Sequence, residues 1–219
     1  MKKKIGVVLS GCGVYDGSEI HEAVVTLLAL DKRGAEAVCC APDVPQMHVV
    51  DHLTGQPAAG QTRNVLTESA RIARGKVRDV AQVKAAELDG LILPGGFGAA
   101  KNLCDFATSG PDCQVNADVA RLVREVHAQG KPVGAVCIAP ALLARVLGQE
   151  TPQLTIGKDA GTAAALEKMG ARHVECPVTE MVVDRQLKLV TSPAYMLAHR
   201  ISEAAEGIDK AVGALLEMA

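Results

Sequence analysis

Short apolar runs alternate with amphipathic stretches along the whole chain, and this period-2 then period-3.6 alternation predicts strand–helix repeats. Lys4 to Leu9 reads as a first strand, Ser10 to Gly17 as a glycine-rich loop, and Ser18 to Gly34 as a helix with Val24, Leu27 and Leu28 on its apolar face. Ala35 to Ala41 follows as a second strand. From Pro42 to about Lys76 the pattern weakens: Met47 to Asp51 suits a strand, Leu53 to Pro57 a turn, and Asn64 a cap for a helix reaching Gly75. A helix over Asp79 to Ala86 leads into a buried strand, Asp89 to Leu93, and then Pro94-Gly95-Gly96-Phe97-Gly98. Cys104 to Pro111 reads as a loop, and Gln114 to Gln129 carries Val115, Val119, Leu122, Val123 and Val126 at helical spacing. Further on come a short strand from Leu154 to Gly157, a helix from Thr162 to Met169, a hairpin of Met181 to Asp184 with Leu187 to Val190, and a helix from Tyr195 onward, bent near Gly207. Such alternation predicts one α/β domain over residues 1–219, a flavodoxin-like, doubly wound, mostly parallel sheet with helices on both faces.

One stretch departs from this rhythm. Val133-Gly134-Ala135-Val136 runs without a polar loop into Cys137-Ile138-Ala139-Pro140 and an alanine/leucine helix that Gly148 can close. That is strand, abrupt turn, helix, with the cysteine on the turn. A side chain so placed projects from the carboxyl end of a sheet beside the free amides and positive dipole end of the next helix, an environment that lowers a thiol pKa. Ala135 and Ala139 keep bulk away from both sides, as a nucleophile elbow needs. The alternative is a structural cysteine buried at a strand end.

Composition narrows the chemistry. In 219 residues the net charge is −2, with two tyrosines, two phenylalanines and no tryptophan. Neither a phosphate-neutralising patch nor base-stacking platforms can be pointed to, so nucleic acid is set aside as a partner. No apolar segment is long enough to span a bilayer. The basic start, Met1 to Lys4, is followed by too short an apolar run for an export signal. Seven cysteines without a CxxC pair suggest reduced thiols, and together these features predict a cytoplasmic protein. Ser10-Gly11-Cys12-Gly13 lacks the third glycine and the acidic strand end of a dinucleotide site, so no cofactor is expected. His48 and His52 lie four apart but amid strand and turn residues, which favours a surface hairpin over a metal site. The glycines after Leu93 suit either a nest of amides for an oxyanion or an ordinary tight turn.

Leu93-Pro94-Gly95-Gly96, followed some forty residues later by Gly134-Ala135-Val136-Cys137 and accompanied by Glu22 early in the first helix, resembles the class I glutamine-amidotransferase-like superfamily in its PfpI and protein-deglycase branch. The Ser10 to Gly17 loop and Thr191-Ser192-Pro193-Ala194-Tyr195 are similar to the isoprenoid-biosynthesis-associated bacterial glyoxalases of that branch. The resemblance implies Cys137 as nucleophile, Glu22 as the acidic group at its sulfur, and the amides of Gly96 and Ile138 as oxyanion donors. Glu22 has a plainer reading as a dipole partner in its helix, and Glu19 is an alternative acid. Protease-like relatives place a histidine directly after the nucleophile; here that residue is Ile138, which cannot accept a proton. Amidotransferases use a downstream His-x-Glu pair, and His173-Val174-Glu175 reads instead as an edge-strand pattern. His21, His127 and His199 fall on predicted helices.

The activity this implies is that of a cofactor-free, glyoxalase III-type enzyme of the hydro-lyase class, turning a small dicarbonyl such as glyoxal into glycolate through a cysteine hemithioacetal and an enediol. A homodimer is implied as well. Protein deglycation and a non-catalytic role, with Cys137 as an oxidation sensor, are the rival expectations.

Overall fold

A computed structural model describes residues 2–219. Its strands are β1 (Lys4–Val8), β2 (Glu36–Ala41), β3 (Val50–Asp51), β4 (Gln56–Pro57), β5 (Arg78–Asp79), β6 (Gly90–Leu93), β7 (Val133–Val136), β8 (Gln153–Leu154), β9 (Arg172–His173), β10 (Val182–Asp184) and β11 (Leu189–Ser192). The helices are α1 (Ile20–Lys32), α2 (Val65–Ile72), α3 (Phe97–Lys101), α4 (Phe106–Ser109), α5 (Ala117–Ala128), α6 (Pro140–Leu147), α7 (Ala160–Lys168) and α8 (Ile201–Met218). Seven strands form one sheet in the order β10-β11-β7-β6-β1-β2-β5, parallel except for the β10–β11 hairpin. The flavodoxin-like, doubly wound α/β architecture read from the sequence is therefore the one observed.

The two faces of the sheet are sorted by strand alternation. Ile5, Val7 and Leu9 pack with Ala23, Leu30, Ile208 and Leu215 of α1 and α8 on one face, whereas Val8, Leu91, Leu93, Val133 and Ala135 pack with α5 and α6 on the other. The order in which strands are added reverses between β1 and β6, since β2 lies on one side of β1 while β6, β7 and β11 lie on the other. Parallel doubly wound sheets leave a crevice at the carboxyl ends of the strands where this reversal occurs.

Several local expectations change. Glu19, not Ser18, caps α1 by accepting the Glu22 N–H at 2.7 Å, and the Ser18 hydroxyl instead accepts the Ser10 N–H at 2.8 Å. The buried face of α1 is Glu22, Ala23, Thr26, Ala29 and Leu30; Ile20, Val24 and Leu28 are exposed at 43, 47 and 48%. Small residues face inward here because α8 packs closely against α1, clamped by the Arg33–Asp209 ion pair. Residues 80–87 make two 3-10 turns after β5 in place of a helix, and the Cys104 to Pro111 loop contains α4. Asn64 caps α2 as expected, and residues 50–57 form a small hairpin, β3–β4.

That hairpin is fastened to the loop after β1. The Asp16 carboxylate accepts the Val50 N–H at 2.8 Å, and the His52 ring accepts the Tyr15 N–H at 3.3 Å. Asn102, at the end of α3, donates to the carbonyls of Ser10 and Asp16 and accepts the Met47 N–H, at 2.8, 2.9 and 3.0 Å. One buried amide thus joins three segments. Asn102→Ala is expected to lower stability by about 2–4 kcal/mol, because two buried carbonyls and an N–H lose their partners; equilibrium urea unfolding measures this, and an unchanged midpoint would contradict it.

Candidate active site

The site is assembled from the carboxyl ends of four neighbouring strands, β1, β6, β7 and β11. After β7 the chain turns within one residue: Cys137 adopts φ +60°, the left-handed region that a side-chain-bearing residue rarely occupies, and its N–H is held by the Ser192 carbonyl at 3.0 Å. Hydrogen bonds from Ala139 N–H to Val136 and from Ala141 N–H to Ile138 then carry the backbone into α6. The tight strand-to-helix turn expected from the sequence is present, and it aims the sulfur over the sheet edge rather than into the core.

The loops after β1 and β6 are zipped together above this turn. Glu19 N–H donates to Gly95 O at 2.9 Å, Phe97 N–H to Val14 O at 2.8 Å, and Gly98 N–H to Gly17 O at 2.8 Å. Gly96 takes φ +96°, and a Cβ there would strike the backbone of Glu19 and Gly17. At Gly95 a Cβ would meet Glu22 Oε2 at 2.7 Å and Cys137 Sγ at 3.0 Å. The glycines are therefore needed because the backbone passes directly against the acid and the sulfur.

Glu22 is fully buried. Its Oε2 accepts the Gly95 N–H at 2.9 Å and its Oε1 accepts the Tyr195 N–H at 3.1 Å, and the carboxyl lies beside the Cys137 sulfur, both packed against Gly95. Burial pushes the Glu22 carboxyl up to about 7; the Glu19 charge adds to the rise, while the Tyr195, Cys137 and Gly95 hydrogen bonds oppose it. Of the two acids considered from the sequence, Glu22 is the one at the sulfur, and Glu19 is occupied in capping α1.

Cys137 is 7% exposed. Burial, followed by the Glu22 charge, pushes its thiol upward, and hydrogen bonds from the Gly96 and Ile138 amides pull the other way without prevailing. The lowered thiol pKa expected from the helix terminus is thus corrected: burial and the adjacent carboxyl push the thiol up and outweigh the two amides. The Gly96 and Ile138 amides touch the sulfur itself. All four residues singled out from the sequence, Cys137, Glu22, Gly96 and Ile138, are brought together.

A cavity of about 520 Å³ opens above the sulfur, with Glu19, Phe97, Phe106, Asp159, Tyr195 and Met196 among its walls. Tyr195, Phe106 and Asp159 were not marked by any sequence reading of function; they come from β11, α4 and α7 and meet only in space. The Tyr195 hydroxyl shares a 2.8 Å hydrogen bond with His21 Nδ1. His173 lies on β9, paired with β8, and His127 bonds Glu150, so neither joins the site. Among the described residues no three side chains of His, Cys, Asp or Glu cluster as metal ligands.

Glu22 makes stability depend on pH. An unfolded glutamate titrates near 4.5 and the folded one near 7, so the contribution of its protonated form is complete below 4.5 and is lost as pH rises to 7. Wild-type stability should therefore fall across that window by about 3 kcal/mol more than that of Glu22→Gln. Urea unfolding of both proteins at pH 5 and pH 8 measures the difference; parallel profiles would refute it.

Comparisons with known proteins identify the family and the fold. A human protein, glutamine amidotransferase-like class 1 domain-containing protein 3, mitochondrial, is 50% identical over 224 residues, covering 98% of this chain and 83% of the human one. The mitochondrial ES1 protein of Danio rerio is 36% identical, covering 88% of this chain and 76% of its own. An isoprenoid biosynthesis protein with an amidotransferase-like domain from Ehrlichia chaffeensis superposes with a TM-score of 0.91 at 36% identity, covering 99% of this chain and all of that one. The mitochondrial location of the curated relatives overturns the cytoplasmic expectation. That expectation leaned on unpaired thiols, which any reducing compartment permits. The model of the DJ-1/PfpI family matches residues 13–201, and the chain belongs to the DJ-1/PfpI family.

Proposed function

We propose that the protein is a cofactor-independent glyoxalase, with Cys137 as nucleophile and Glu22 as the single acid/base. The observation that carries this reading is the buried Glu22 carboxyl, poised near 7 and set beside the Cys137 sulfur at the floor of an open cavity. A group with that pKa both takes and returns protons efficiently at neutral pH.

The chemistry balances with these groups alone. As the sulfur adds to one aldehyde carbon of glyoxal, the thiol proton passes to the Glu22 carboxylate and on to the new alkoxide, giving a hemithioacetal. The Gly96 and Ile138 amides, already turned to the sulfur, are the donors beside that developing oxyanion. Glu22 then removes the C–H proton of the hemithioacetal carbon, the electron pair forms the C=C bond of an enediolate whose negative oxygen takes the hydroxyl proton of the first carbon, and Glu22 delivers its proton to the second carbon. A glycolyl thioester results, and water releases glycolate and the thiol. Ile138 leaves no imidazole at the elbow, so Glu22 serves every transfer.

An oxidation-sensing role for Cys137 is less well supported, because sensors use exposed, low-pKa thiols and this one is buried with its pKa raised. The homodimer is kept as a proposal: a second copy of the chain would cover the exposed Ile20, Val24 and Leu28 stripe of α1.

Glycolate formation from glyoxal tests the reading. Cys137→Ala is expected to abolish turnover, and Glu22→Gln to slow it by about 10²–10⁴; wild-type activity in either removes that residue from the mechanism. Since the base acts as carboxylate, kcat/KM should rise with pH through about 7 and then level.

A further inference from the structure

The cavity above Cys137 is far larger than a two-carbon dialdehyde requires, at about 520 Å³. Its walls are mostly apolar, with Phe97, Phe106, Ile138 and Met196 facing the space, and its charged lining consists of Glu19 and Asp159. Among the described residues no lysine or arginine lines it. Cations are close but turned elsewhere. Lys101 lies over the Phe97 ring and donates to the Tyr15 carbonyl at 3.0 Å, and Lys158 lines the adjoining cleft with Cys176 and His199.

Both acids are helix caps. Glu19 accepts the Glu22 N–H at 2.7 Å at the start of α1, and Asp159 accepts the Thr162 N–H at 2.8 Å at the start of α7. A free N-terminus of such a helix attracts anions; at α1 and α7 the chain's own carboxylates fill it, whereas the start of α6 at Cys137 and Ile138 keeps its amides free of a side-chain cap. Hydrogen bonds from Thr162 hold the Asp159 carboxyl below its ordinary range, so it is ionised at neutral pH. An anionic ligand would meet negative charge at the starts of α1 and α7 before it reached the amides beside the sulfur.

We infer that Glu19 and Asp159 act as a filter against anions, so that the site takes uncharged 2-oxoaldehydes with an apolar substituent and rejects carboxylated or phosphorylated ones. The identity of the substrate as an oxoaldehyde rests on the glyoxalase reading; the charge filter does not. Its two halves differ in screening. Asp159 is exposed and its share weakens in salt, whereas Glu19 is buried and its share persists.

Alkylation of Cys137 separates the two ideas, because it needs no turnover. Iodoacetamide and iodoacetate differ by one charge, and peptide-resolved mass spectrometry gives the rate of each at Cys137. The ratio is normalised to N-acetylcysteinamide in the same buffer. The expected preference for the neutral reagent exceeds that reference by about tenfold, and Glu19→Gln and Asp159→Asn each reduce it by about threefold while keeping a capping oxygen. A ratio equal to the reference, a ratio that neither substitution alters, or a sulfur that neither reagent reaches overturns the filter. Phenylglyoxal and 4-carboxyphenylglyoxal then serve as matched substrates. Equal kcat/KM for the pair defeats the filter in a working enzyme, whereas selective alkylation without turnover of either defeats the glyoxalase reading and leaves the filter standing.

Discussion

The structure turns on one juxtaposition, a fully buried carboxyl beside a nearly buried sulfur, both set against the backbone of Gly95. Two anions in that space would repel strongly at low dielectric, so Glu22 and Cys137 are held to fewer negative charges than they would carry in water. The surroundings accommodate this by supplying amides: Gly95 and Tyr195 for the carboxyl, Gly96 and Ile138 for the sulfur. Four backbone N–H groups from three different strand ends thus converge on one acid and one thiol.

Much of the fold serves to bring those amides together. The switch in strand order between β1 and β6 places the loops that follow them side by side, and three backbone hydrogen bonds zip the loops where glycine permits. The left-handed turn at Cys137 aims the sulfur into the gap so formed. On the far side β11 delivers Tyr195, whose N–H reaches Glu22 and whose ring walls the cavity. The hairpin over residues 50–57 braces the loop after β1 through Asp16, His52 and Asn102, well away from the chemistry. Stability is invested there to hold the loop that leads into Glu22's helix.

Family membership and site geometry agree at different depths. The DJ-1/PfpI match and the human, zebrafish and Ehrlichia relatives establish what kind of molecule this is. The reaction proposed for it rests on physical features of this chain: an acid poised near neutrality, an isoleucine where a histidine would assist a protease, and a cavity whose charged lining, among the described residues, is negative.

The sequence by itself determined the sheet, because the short unbroken apolar runs in Lys4–Val8, Gly90–Leu93 and Val133–Val136 are a local pattern that burial on both faces imposes. It also determined the elbow, since Val136-Cys137 followed by Pro140 allows little besides strand, turn and helix. The inward face of α1 was not legible: Val24 and Leu28 are the more apolar residues, but close packing against α8 selected the smaller Ala23, Thr26 and Ala29. Nor was the protonation of the site. A thiol at a helix start reads as acidic, and only three-dimensional burial beside Glu22 reverses that. Tyr195 and Asp159 lie 58 and 22 positions beyond Cys137, and no spacing rule joins them to it. Local periodicity is written in the chain, whereas desolvation and convergence depend on which distant segments the fold lays against one another.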